Sequence, residues 1–69
     1  MGHDLIRAYL PLLERKIWQE QRKAERIALE LLRWYYLRVL ALGRELTQAQ
    51  LAQLESNIIR DADPAVGSA

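Results

Sequence analysis

The chain has no glycine or proline between Pro11 and Gly43, and this uninterrupted segment constrains its fold more than any other feature. Apolar residues recur along the segment at the spacing of an α-helix, whereas the alternating runs and turn dipeptides of β-hairpins are missing. Because glycine and proline are the residues that most often end a helix, the segment predicts a single helix about 48 Å long. We therefore expect an all-α fold class.

The predicted architecture is one domain in which a long helix is followed by a shorter antiparallel helix, together forming a helical hairpin. Pro11 either kinks the long helix or begins it anew, and Gly43 ends it. The short helix is expected to cover one flank of the second half of the long helix. The predicted bounds are residues 1–62 for the domain, about 4–42 for the long helix, about 48–61 for the short helix and 63–69 for a disordered tail.

One face of the predicted long helix carries an apolar stripe along its whole length, and the short helix is too short to cover it. The simplest cover is the same stripe of a second copy, so we expect a homodimer. An antiparallel pair that crosses near Gln21 and Ala24 is favoured over a parallel coiled coil, which stays open as the alternative. The expected dimer residues are Leu10, Leu13, Ile17, Gln21, Ala24, Ala28, Leu31 and Tyr35.

The second half of the long helix carries more apolar and aromatic surface than one dimer contact can cover. Arg33 and Arg38 are its only charged residues between Leu31 and Leu42. Aromatic and arginine side chains together are typical of protein–protein hot spots. We therefore expect a contact surface for another protein, although the aromatic residues of this segment can equally fill a thin dimer core. The expected contact residues are Arg33, Trp34, Tyr36, Leu37 and Arg38.

The composition offers little for catalysis or metal binding. The chain has no cysteine and a single histidine, His3, and its carboxylates are scattered without the spacing of a ligand set. We therefore expect a protein that is not an enzyme and binds no cofactor and no metal. With a net charge of +1, no run long enough to span a bilayer and no secretory signal, we expect a cytoplasmic protein that contacts neither nucleic acid nor membrane.

The start of the predicted short helix has two interpretations. Thr47 and Gln50 have the spacing of a capping box, which indicates a structural helix. The same stretch is similar to the opening of a phage-repressor-type helix-turn-helix in its residues Thr47, Gln48, Leu51 and Ala52. In that pattern a turn would fall at Ser56, but Asp63 and Pro64 are expected to stop the chain before a recognition helix can form. The capped structural helix is therefore favoured, with a minimal DNA-associated regulator as the alternative.

The layout of a long helix plus a short helix, together with the aromatic run Trp34–Tyr36, resembles small phage-encoded anti-activators that block quorum sensing in a Pseudomonas host. This resemblance implies a helical homodimer in the host cytoplasm that binds a LuxR-type transcription regulator and keeps it off DNA. It also implies interference with the motor ATPase of type IV pili. The resemblance assigns no individual residue, and a structural oligomerisation module stays open as a further alternative.

Overall fold

The computed structural model describes residues 2–62, and in this range the chain forms three α-helices and no β-strand. Helix α1 spans His3–Gln19, α2 spans Lys23–Leu42 and α3 spans Gln48–Ala62. The predicted all-α fold class is confirmed. The disordered tail predicted for residues 63–69 lies outside the described residues.

Two helices, α1 and α2, occupy the segment for which the sequence predicted one. The backbone leaves the helical conformation at Glu20 (φ −81°, ψ 121°) and again at Arg22 (φ −79°, ψ 121°). The Glu20 Oε1 atom accepts hydrogen bonds from the backbone N–H of Arg22 at 3.0 Å and from its Nε at 3.2 Å. The only sequence signal for this break is the polar run between Trp18 and Ala24, which contains no glycine or proline.

The break allows α1 to fold back against α2, and the gain in burial explains why the long helix does not persist. Leu13 and Ile17, which the sequence assigned to a dimer stripe, lie in the core of the single chain. Burying such a side chain stabilises a fold by about 1.5–3 kcal/mol, which exceeds the ~1 kcal/mol of each helical hydrogen bond given up at the break. The core comprises Ile6, Tyr9, Leu13 and Ile17 of α1, Tyr36 and Val39 of α2, and Leu54 of α3.

Helix α1 is the central element, because it packs against both α2 and α3. Helix α3 begins beside the start of α1, where Leu51 approaches Gly2 so closely that a Cβ atom at Gly2 would collide with it. It ends where the Asp61 carboxylate lies 3.6 Å from the Lys16 ammonium group. The short helix therefore packs mainly on α1, and it meets the predicted flank of the second half of the long helix through the hydrogen bond that Gln50 Nε2 donates to the Tyr35 hydroxyl at 3.3 Å.

The local signals for helix ends are present in the structure. The Thr47 N–H donates to Gln50 Oε1 at 2.9 Å and the Gln50 N–H donates to Thr47 Oγ1 at 3.1 Å, which is the predicted capping box. Gly43 ends α2 in the left-handed conformation with φ 65°. Pro11 lies inside α1, so no new helix begins there.

The position of Ile17 leads to a stability prediction. Ile17 is 8% exposed, whereas Ile59 on α3 is 73% exposed. Ile17→Ala should lower the free energy of unfolding by about 2–5 kcal/mol, because it leaves a cavity in the core. The matched change Ile59→Ala should alter it by less than about 0.5 kcal/mol. Urea denaturation at several protein concentrations measures both values, and equal losses for the two variants would contradict the described core.

Candidate functional site

Within residues 2–62, six of the eight large apolar side chains that stay exposed lie on α2, on the face that points away from α1. Apolar side chains on this face continue from the beginning of the helix to its end, although the inner face already supplies the core. Contiguous exposed apolar surface of this kind marks interaction sites in soluble proteins. Its large members are Ile27, Leu31, Trp34, Tyr35, Leu37 and Leu42.

Helical geometry divides this outer face into two flanks that lie about a quarter of a turn apart. The first, which we term the alanine flank, consists of Ala24, Ala28, Leu31, Tyr35 and Leu42. The second, which we term the tryptophan flank, consists of Ile27, Glu30, Trp34, Leu37 and Arg38. One helix therefore presents two different surfaces in two different directions.

A groove of about 470 Å³, which we term the tryptophan groove, runs beside the tryptophan flank, between the last turns of α1 and the first half of α2. Trp18 of α1 lines one wall and is 81% exposed, and Trp34 of α2 lines the other and is 57% exposed. Trp18 was not among the contact residues expected from the sequence, because its proximity to Trp34 depends on the break that folds α1 back. The complete lining is Glu14, Ile17, Trp18, Arg26, Glu30, Arg33 and Trp34.

Two ion pairs hold charged groups at this groove. The Arg33 Nη2 atom lies 2.9 Å from Glu14 Oε1, and this pair joins α2 to α1. The Arg26 Nε atom lies 3.6 Å from Glu30 Oε1 within α2. Arg33, which the sequence assigned to the contact surface, is therefore engaged by its own chain and joins the two groove walls.

Arg38 differs from Arg26 and Arg33 because, among the described residues, it contacts an aromatic ring and not a carboxylate. Its guanidinium carbon lies 4.9 Å from the centroid of the Trp34 ring, which is the geometry of a cation–π contact. Within residues 2–62, no carboxylate forms an ion pair with Arg38. The tryptophan flank therefore presents an oriented cation whose donor groups stay available to a partner.

Tyr36 was expected at the contact surface, but the structure places it in the core. It is 8% exposed and its ring meets Tyr9 edge to face, with centroids 5.8 Å apart and planes at 87°. Burial, followed by the proximity of Tyr35, raises the pKa of Tyr36 above 10. Burial, followed by the nearby Asp61 carboxylate, raises the pKa of Tyr9 in the same direction. Tyr36 is thus a core residue on the inner face of α2, and it is not available to a partner.

The residues expected at the dimer stripe are separated by the fold into three groups. Leu13 and Ile17 are core residues, and Leu10 is half-buried against the same cluster. Gln21 lies in the break between α1 and α2. The remaining four, Ala24, Ala28, Leu31 and Tyr35, are exposed and form most of the alanine flank. The first half of the predicted stripe is covered by the chain itself, because α1 folds back.

The stretch that is similar to a helix-turn-helix forms the first turns of α3. Leu51 packs close to Gly2, and the helix continues through Ser56 to Ala62. The position at which the pattern requires a turn is therefore helical.

In the described part of the chain, none of the helices combines the length and apolar character needed to cross a membrane. The same residues bring no three His, Asp or Glu side chains together at a spacing suited to a metal ion.

No protein-family model, curated protein sequence or solved structure matches this chain. The candidate site is therefore assigned on the geometry of the chain alone.

The raised tyrosine pKa values predict a loss of stability in alkali. Between the pKa of an unfolded tyrosine, about 10, and the higher folded value, the folded chain binds more protons than the unfolded chain. The contribution of the two buried neutral tyrosines to the free energy of unfolding is therefore complete below about pH 10 and falls as the pH rises further. Urea denaturation from neutral pH to above pH 10 should show this decline, and the double variant Tyr9→Phe, Tyr36→Phe should show a shallower one. An unchanged decline in the double variant would rule out the two rings as its source.

Proposed function

We propose that this chain is a small inhibitory binding protein that acts by covering a surface of another protein. The observation that carries the proposal is the exposure of Trp18 and Trp34 in a chain whose core is already filled by other residues. Neither indole ring belongs to that core, and both line the same groove. Burial against a partner would remove their apolar area from water, and this contribution to binding is large for tryptophan.

The rigidity of the surface supports inhibition by occlusion. Trp34, Leu37 and Arg38 lie on the uninterrupted helix α2, and the Glu14–Arg33 ion pair ties this helix to α1. A contact surface carried by a helix loses less conformational entropy on binding than one carried by a loop, because its backbone is already ordered. A small chain can therefore achieve useful affinity through a few anchors, and tryptophan with arginine is the combination that hot spots favour.

For the target we propose a host bacterial protein in the cytoplasm, namely a quorum-sensing transcription regulator, a pilus assembly ATPase or both. The support for this choice is the resemblance of the aromatic run Trp34–Tyr36 to that of phage anti-activators, because the long helix on which the resemblance also drew is divided into α1 and α2. The exposed aromatic groove agrees with such a role, because occlusion of a regulator requires contact area and no chemistry.

We further propose that the alanine flank forms a homodimer. Ala24 and Ala28 are small and lie towards the start of α2, whereas Tyr35 and Leu42 are large and lie towards its end. An antiparallel pair of α2 helices centred near Leu31 would set the small half of each copy against the large half of the other. The proposed crossing point moves from Gln21 to Leu31, because α2 is a separate helix.

A structural oligomerisation module is the second candidate function, and the alanine flank is the observation that favours it. A module of this kind needs the alanine flank alone and has no use for the tryptophan groove. The DNA-associated alternative has less support, because α3 continues through Ser56 without the turn that a helix-turn-helix requires.

Inhibition can be tested with a purified LuxR-type regulator bound to its labelled DNA site in a gel-shift assay. Addition of the chain should release the DNA. The Trp34→Ala variant should require about 30-fold more protein for the same release, the factor expected for a hot-spot residue of ~2 kcal/mol. A parallel measurement should show slower ATP hydrolysis by the type IV pilus motor ATPase.

Ile59→Ala is the control, because it removes an exposed apolar side chain from α3 outside the groove. This variant should inhibit as the unchanged protein does. Failure of the unchanged chain to affect either the regulator or the ATPase would contradict the proposed targets. Equal inhibition by the Trp34→Ala variant would remove the groove from the function.

The dimer can be tested by analytical ultracentrifugation with a pair of matched variants. Leu31→Asp places a charge at the centre of the alanine flank, where Leu31 is 62% exposed, and should give a monomer. Leu37→Asp places the same charge on the tryptophan flank and should leave the dimer intact. A monomeric unchanged protein at micromolar concentration, or dissociation of both variants alike, would contradict the proposed interface.

A further inference from the structure

The tryptophan groove has the shape of a binding site for one additional helix. Its walls are the last turns of α1 and the first half of α2, and these two helices run in opposite directions because a short break joins them. Helix α3 packs elsewhere on α1, and no described residue of α3 lines the groove. An amphipathic helix laid between two such walls is a recurrent mode of peptide recognition.

The charges that line the groove are paired, and the cation available beside it is Arg38, which contacts the Trp34 ring without itself lining the groove. Both acidic groups in the lining, Glu14 and Glu30, are held by Arg33 and Arg26. Arg38 follows Trp34 by one helical turn, and among residues 2–62 it has no carboxylate partner. A neutral apolar helix that covered this flank would desolvate the Arg38 guanidinium without compensation, which is unfavourable. A helix with a carboxylate near Arg38 avoids that penalty.

We infer that the groove binds an acidic amphipathic helix of the partner protein. One apolar side chain of this helix enters between Trp18 and Trp34, and a carboxylate about one turn away pairs with Arg38. The spacing follows from α2 itself, since Trp34 and Arg38 are separated by one turn of about 5.4 Å. The inference rests on the proposed function and adds the chemical character of the segment that is recognised.

The alternative occupants fit less well. A phosphate-rich surface such as nucleic acid would satisfy Arg38 but would leave the two indole rings and Ile17 against a charged backbone. A second copy of α2 is itself unsuited to the groove, because its tryptophan flank carries the same uncompensated Arg38. The two indole rings of the groove and the available cation beside them therefore favour an acidic helical segment of a protein.

The two tryptophans allow a direct binding assay. They are the only tryptophans in the sequence and both line the groove, so their emission reports on its occupancy. The probe is a synthetic amphipathic helical peptide with a central leucine and glutamate at the fourth position on either side of it. A twin peptide with glutamine at both positions keeps the apolar face and removes the charge.

We expect the glutamate peptide to shift the emission of the full chain to shorter wavelength and to bind about tenfold more tightly than the glutamine twin. In the Arg38→Gln variant the two peptides should bind alike. Arg44→Gln removes an equal charge away from Trp34 and the tryptophan flank, and it should retain the tenfold preference. Circular dichroism of both variants checks that the helices are unchanged.

Three results would overturn the inference: absence of any emission shift, equal binding of the two peptides by the unchanged chain, or a preference that survives in the Arg38→Gln variant. A shift produced by raising the concentration of the chain alone would also overturn it, because a second copy would then occupy the groove.

Inhibition of the regulator that is lost with Trp34→Ala but kept with Arg38→Gln would overturn the acidic-helix inference while the proposed function stands. Absence of inhibition by the unchanged chain would instead overturn the function itself.

Discussion

The packing of α1 against both other helices is the interaction on which the rest of the structure depends. It requires the backbone to leave the helical conformation between Glu20 and Arg22, where the Glu20 carboxylate accepts a hydrogen bond from the N–H of Arg22. Without this break Leu13 and Ile17 would extend away from α2, and the chain would have no core of its own. The short polar run after Trp18 therefore determines whether the polypeptide is a rod or a three-helix domain.

The same packing determines which surfaces remain for binding. Because α1 covers only the inner face of α2, the outer face keeps its apolar side chains and divides into an alanine flank and a tryptophan flank. The groove exists only because the end of α1 lies beside α2, which brings Trp18 to Trp34. Self-association and recognition of another protein can therefore occupy different sides of one helix, and a change on one side need not disturb the other.

The sequence predicted features that depend on local chemistry. The all-α class, the helix end at Gly43 and the capping box of Thr47 follow from periodicity and from the residues at the helix ends. The break after Gln19 has no glycine or proline, so only the competition between helix continuation and burial decides it, and that competition involves residues far apart in the chain. For this reason Tyr36 was expected at the surface and Leu13 at a dimer interface, and Trp18 was not among the expected contact residues.

The central position of α1 also has a consequence for how the domain unfolds. Within residues 2–62 this helix supplies four of the seven buried side chains, and each of the other two helices packs against it. If α1 detaches, neither of its neighbours retains a surface to pack on, so no pair of helices without it forms a stable partial structure. Loss of order should therefore be cooperative, with a single transition in which all three helices melt together.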